Sequence, residues 1–157
     1  FGCFSERSNK GWSGGHVPLF IDRAMKGEDI TIHGDGKQTR DFCYVTDTAD
    51  AAIAICEVDE LLGEIVVVGS GQETSINDLA QQVANIFDLQ VKIKYDKDRI
   101  GDVLRHVADT SLLRDTTGWM PKIGLNEGLR MTVDWYLGRP DIFDQPDWYI
   151  EHPHLLR

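Results

Sequence analysis

Apolar residues recur along this chain at helical spacing, interrupted by short runs at strand spacing. Val17, Phe20, Ile21 and Ala24 share one face and predict a helix near Val17 to Lys26. Pro18 suits its first turn and Gly27 its C′ position. Ile30-Thr31-Ile32 alternates as a strand and runs into Gly34-Asp35-Gly36, a strong turn signal, so Asp41 to Val45 is expected to return as the second strand of a hairpin. Asp47 is expected to cap a helix that buries Ala49, Ala52, Ile53 and Cys56. Glu64 to Val68, reading EIVVV, has the look of a buried strand stopped by Gly69-Ser70-Gly71.

Ser75 with Asp78 three residues on resembles a capping box, and the helix it opens carries Leu79, Val83, Ile86 and Phe87 on one face. Gln90 to Tyr95 alternates as a further strand. Thr110 to Thr117 predicts a short helix ended by Gly118, and Leu125, Leu129, Val133 and Tyr136 form the stripe of a last helix. The sum is a mixed α/β pattern of short strands and four or five helices with no regular βαβ rhythm. Residues 1–15 read as a strand end and a Gly/Ser crossing, 16–138 as the main unit, and 139–157 as an extended docking tail.

Composition narrows the partners. The chain has 157 residues, with 41% hydrophobic and 27% charged, which are ordinary globular values. Its formal net charge of −10 repels phosphate backbones and anionic lipid, which argues against nucleic-acid and membrane-surface binding. An anionic ligand therefore has to be captured by a few placed arginines. Cys3, Cys43 and Cys56 show no metal-ligand or disulfide spacing and are expected to be buried free thiols in a reducing cytoplasm. His152 and His154 are the one close histidine pair, and no metal site is expected.

Two segments carry candidate chemistry. In Gly34-Asp35-Gly36-Lys37-Gln38-Thr39-Arg40, a tight turn can expose backbone N–H groups, and Arg40 can offer a two-pronged guanidinium to phosphate oxygens. Around Asp98-Arg99-Ile100-Gly101-Asp102, Arg99 suits a diphosphate, and Asp102 can accept hydrogen bonds from both hydroxyls of a ribose. Either segment alone is also what a surface hairpin or a solvated charged loop carries. Gly69-Ser70-Gly71 lacks the third glycine of a dinucleotide-binding loop, and no Tyr-x-x-x-Lys pair is present.

Taken in order, VPLFIDRAMKGEDITIHGDGKQTRDFCYVTDTADAA and GDVLRHVADTSLLRDTTGWMPKIGLNEGLRMTVDWY closely resemble the C-terminal half of NAD-dependent nucleotide-sugar epimerases and dehydratases, which are extended short-chain dehydrogenase/reductases. The resemblance implies a small mixed α/β substrate-binding portion with the N-terminal Rossmann half absent. It places Arg40 and Arg99 on the diphosphate, Asp102 on the ribose, and Val17, Ile32 and Gly34 beside the nucleotide. It makes Phe1 to Phe4 the end of a Rossmann-half strand, and Trp119 and Pro121 a structural anchor.

Gly2, Glu6 and Val67 depart from the family's Asn, Pro and Asn. By the same resemblance the hydride and proton transfers belong to the missing half, so no catalytic residue and no NAD site is expected in this chain. The run GDVLRHVAD is most like UDP-hexose 4-epimerases, with a dTDP- or GDP-sugar 4,6-dehydratase as the alternative. A non-catalytic nucleotide-sugar-binding or assembly module is the reading from another class. The expected partners are a nucleotide sugar, with a UDP-sugar favoured, and either a second copy of the chain or an NAD-binding half.

Overall fold

The 3.6-residue period of the apolar positions fixes how three amphipathic helices pack. In a computed structural model, which describes residues 15–87, 92–98 and 101–139, helix α1 (His16–Met25) buries Val17, Phe20, Ile21 and Ala24. Helix α3 (Ile76–Ile86) buries Leu79 and Val83, and helix α5 (Leu125–Leu137) buries Leu129, Val133 and Tyr136. These faces meet with Ile30 and Ile32 in one core cluster, with Ile86, Phe87 and Leu125 packed at its margin. Ser75 caps α3 as its spacing predicts: its Oγ accepts from the Asp78 amide at 3.0 Å and donates to the Asp78 carboxylate at 2.6 Å.

The strands pair differently from the expected hairpin. Strand β1 (Ile30–His33) runs parallel to β4 (Ile93–Asp96), whereas β2 (Thr39–Asp41) runs antiparallel to β3 (Glu73–Ser75). Local hydrogen bonds show why β1 and β2 separate. The Gly34 amide extends the β1–β4 ladder by donating to Asp96 O at 3.0 Å, and the Gln38 side chain takes His33 O at 2.8 Å. The Ile76 amide then holds Gln38 O at 3.0 Å, which draws β2 towards β3 and α3. The return strand lies earlier and is shorter than the expected Asp41 to Val45, sharing only Asp41 with it, and Val45 already begins helix α2 (Val45–Cys56).

Helix α2 turns a different face inward from the one expected. Asp47 and Ala51 are buried, Ala54 and Ile55 pack on a second cluster of Cys43, Ala51, Leu113 and Trp119, and Ala49, Ala52, Ile53 and Cys56 are exposed. Cys43 is thus a buried thiol and Cys56 an exposed one. Asp47 is not the cap: Tyr44 holds the N-cap position, and the Asp47 carboxylate, 2% exposed, accepts from the amides of Lys122 and Ile123 at 3.1 and 2.9 Å. It ties the segment after α4 (Ser111–Thr117) to the start of α2.

EIVVV carries no regular secondary structure and forms no strand pairing among the described residues. Val66 and Val68 pack on the second cluster, while Ile65 is 90% exposed. The predicted elements within residues 1–14 and 140–157 lie outside the described residues, as do Gln90 and Val91 of the fourth strand. No described helix is long and apolar enough to cross a membrane.

Candidate functional site

Adjacent residues of a strand point to opposite faces, and in β2 both faces are used to grip one segment, residues 102–108. On the backbone, Thr39 N donates to Leu104 O at 2.9 Å and His106 N donates to Thr39 O at 3.2 Å, a parallel bridge that lays the segment along β2. On one side, Arg40 Nη1 donates to Thr39 O at 2.8 Å and Val103 O at 2.6 Å, and Nη2 donates to Asp102 Oδ1 at 2.5 Å. Both side chains are partly shielded, at 18% and 29% exposure, so this ion pair is less screened than a typical surface pair.

A guanidinium carries five N–H donors, so Arg40 keeps one Nη2 proton and Nε–H uncommitted among the described residues. The second carboxylate oxygen of Asp102 likewise has no hydrogen-bond partner there. The arrangement presents donors for an anion beside an acceptor for hydroxyls. The sequence separates these two residues by more than sixty positions, and the structure brings them into contact. Arg99 lies outside the described residues.

The other expected site residues take supporting places. Val17 and Ile32 are buried in the main core, so their side chains hold α1 and β1 together and present no surface to a ligand. Gly34 adopts φ +79°, and a Cβ there would stand 2.7 Å from Asp98 Oδ1. The glycine turn displays fewer free amides than anticipated: Gly34 N–H is spent on Asp96, and Lys37 N–H donates to Asp35 Oδ1 at 2.9 Å.

Sequence reasoning missed Glu73 and Arg105. Glu73 accepts from Arg105 Nε at 2.6 Å and from Thr39 Oγ1 at 2.9 Å, which joins β3 to residue 105 across the rim of the site. The hydrogen bond from Arg105 first, then that from Thr39, holds the Glu73 carboxyl below its ordinary value. A depressed folded pKa means the contact contributes fully above the unfolded value and is lost as pH falls through the folded one. A carboxyl-detected NMR titration should therefore place the Glu73 midpoint below 4.5, the usual glutamate value. A midpoint at or above it would show that the contact is absent in solution. Sequence held no signal for this pair, because thirty-two residues separate its members and only the β2–β3 pairing unites them.

Fold and site together define an α/β segment that pairs a shielded arginine with a carboxylate acceptor at one rim. Residues 2–132 match the family model described as GDP-mannose 4,6 dehydratase, and the chain belongs to that family, within the extended short-chain dehydrogenase/reductases. A Methanocaldococcus jannaschii protein assigned as a UDP-glucose 4-epimerase is 36% identical over 132 residues, 84% of this chain and 42% of the relative. The dTDP-glucose 4,6-dehydratase of Xanthomonas campestris is 33% identical over 131 residues, 77% of this chain and 37% of the relative. Among solved structures, UDP-glucose 4-epimerase with UDP-glucose from Thermotoga maritima superposes with a TM-score of 0.80 at 30% identity, over 87% of this chain and 44% of that one. The chain thus spans less than half the length of these relatives.

Proposed function

We propose that this chain is the nucleotide-sugar-binding portion of an epimerase acting on a UDP-hexose at C4. The observation that carries the reading is the Arg40–Asp102 pair with its uncommitted donors and acceptor. The free Arg40 protons suit a diphosphate oxygen, the open Asp102 oxygen suits ribose hydroxyls, and Arg99 supplies the second cation for the diphosphate. The run GDVLRHVAD and the likeness to the Thermotoga epimerase support UDP-hexose epimerisation, and a dTDP- or GDP-sugar 4,6-dehydratase, the class of the Xanthomonas relative, is the alternative.

NAD belongs to this reading as the oxidant of the whole enzyme, and it supplies hydride transfer when bound. Among the described residues, the glycine turn at 69–71 does not fit it. The Ser70 and Gly71 amides of the glycine turn both donate to the Asp41 carboxylate, at 2.8 and 2.9 Å, and so are unavailable to a pyrophosphate. We assign NAD to the portion of the relatives that this chain does not span. The partner of this segment is accordingly an NAD-binding half, in the cytoplasm. What the chain's own residues do is bind and orient: Arg40 and Asp102 hold the nucleotide, and residues 102–108 form the wall against which it lies.

Calorimetry with UDP-glucose tests the reading. A charged hydrogen-bonded contact contributes about 1.5–3 kcal/mol, so Arg40→Ala and Arg99→Ala should each weaken binding roughly 10- to 100-fold. Equal affinity of the variants and the parent, or no binding of UDP-glucose by the folded parent, would sink it.

A further inference from the structure

Asp41 is 6% exposed and takes no part in the ligand contacts proposed above, yet its carboxylate accepts four hydrogen bonds. Oδ1 accepts from Ser70 N at 2.8 Å and Ser70 Oγ at 2.5 Å, and Oδ2 accepts from Gly71 N at 2.9 Å and Ala108 N at 3.1 Å. An ionised carboxylate has about four lone-pair positions and no donor, so this site is filled to capacity by groups that only a carboxylate can satisfy together. Three of the donors come from the glycine turn and one from the far end of the 102–108 segment.

We propose that Asp41 is a positioning residue for the nucleotide site, acting through Ala108 to set where residues 102–108 lie relative to Arg40. The proposal rests on the nucleotide-sugar reading given above. The geometry explains why one strand suffices: Arg40 clamps residues 102 and 103, Thr39 holds 104 and 106, and Asp41 holds 108. The segment is thereby anchored at both ends and in the middle, so Asp102 meets the ligand without a separate ordering cost.

Gly69 completes the device. A Cβ at Gly69 would run into Ala108 Cβ and stand 2.8 Å from Asp41 Oδ2, so glycine is required for the turn to reach the carboxylate while Ala108 is docked on it. Its φ is not positive, so the backbone itself tolerates alanine and the obstacle is contact alone. That makes Gly69→Ala a steric lever on the same clamp that leaves the carboxylate's chemistry unchanged.

The test compares Asp41→Asn, Gly69→Ala and the double change Gly69→Ala/Ala108→Gly with the parent chain. UDP-glucose affinity is measured by calorimetry, and amide exchange at Ser70, Gly71 and Ala108 by NMR. Asparagine retains one acceptor oxygen and turns the other into a donor facing donors. We expect at least a tenfold loss of affinity and lost protection at Ala108. Gly69→Ala should also lose at least tenfold, and removing the Ala108 methyl in the double variant should restore affinity at least threefold. Thermal melts of the same variants separate this from a merely structural role: positioning requires that affinity falls while the chain remains folded at the assay temperature, and loss of affinity only together with loss of folded protein overturns it.

If Asp41→Asn does not fold, the Gly69 pair carries the test alone. Parent-like affinity in folded Asp41→Asn or in Gly69→Ala, with Arg40→Ala still impaired, overturns the positioning role and leaves the nucleotide reading standing. Failure of the parent to bind UDP-glucose overturns the nucleotide reading instead. In that case unchanged Ala108 protection in Asp41→Asn overturns the clamp as well.

Discussion

Asp47→Ala is expected to destabilise the chain by about 3 kcal/mol. The Asp47 carboxylate is 2% exposed, and a single oxygen, Oδ2, accepts both the Lys122 and Ile123 amides. Hydrogen bonds to a charged group contribute about 1.5–3 kcal/mol each, but the exposed Lys122 can recover some hydration, which keeps the sum near the lower end. For a chain of this size that corresponds to a fall in Tm of roughly 6–12 °C. Asp47→Asn separates charge from geometry. Because one oxygen takes both bonds, an amide oxygen in its place keeps the pair and loses only the charge, which should cost about 1 kcal/mol. Thermal melts of the three proteins check this, and equal losses for the two variants would mean that the double acceptance by one oxygen is wrong. A carboxylate in the first turn of α2 also favours the helix dipole, a contribution both variants remove equally.

Asp47 also shows what could be read from the chain and what could not. Its residue type and its place near the start of α2 both suggested a cap, and local sequence offers no sight of a backbone segment seventy-five residues away. The α1, α3 and α5 faces were legible because each helix contributes its apolar stripe to the larger core cluster. The capping pair Ser75–Asp78 was legible because it is contained within four residues. Strand partnership was not: Ile30-Thr31-Ile32 pairs with residues 93–96, not with the strand nearest in sequence. At the site, Arg40 and Asp102 were found by chemistry and order, but their contact, and the four-bond role of Asp41, emerge only once β2 has gathered residues 69–71 and 102–108 around itself.

The two misplaced apolar patterns, EIVVV and the Ala49/Ala52/Ile53/Cys56 face, have a common physical cause, and it leads to the second large effect. Both are written for burial that the described residues do not provide. Ile65 and Val67 stand on the open side of a run whose other side, Val66 and Val68, already rests on the second cluster. No backbone hydrogen bond joins residues 65–68 to another described segment. A β-branched run with open edges is a template for pairing with another strand. Ile53 and Leu62, also exposed, extend the apolar character of this part of the chain. The isolated chain should therefore self-associate as its concentration rises, with the apparent mass in multi-angle light scattering at least doubling at several hundred micromolar, an order-of-magnitude working range. Ile65→Lys together with Val67→Lys should keep the chain monomeric there, since lysine on an exposed strand edge opposes pairing through charge and side-chain entropy. Neither residue contacts Arg40, Asp41 or Asp102 by any hydrogen bond, so UDP-glucose affinity should be unchanged in the double variant. A parent that stays monomeric, or a double variant that associates as the parent does, would show that this run is not the adhesive element.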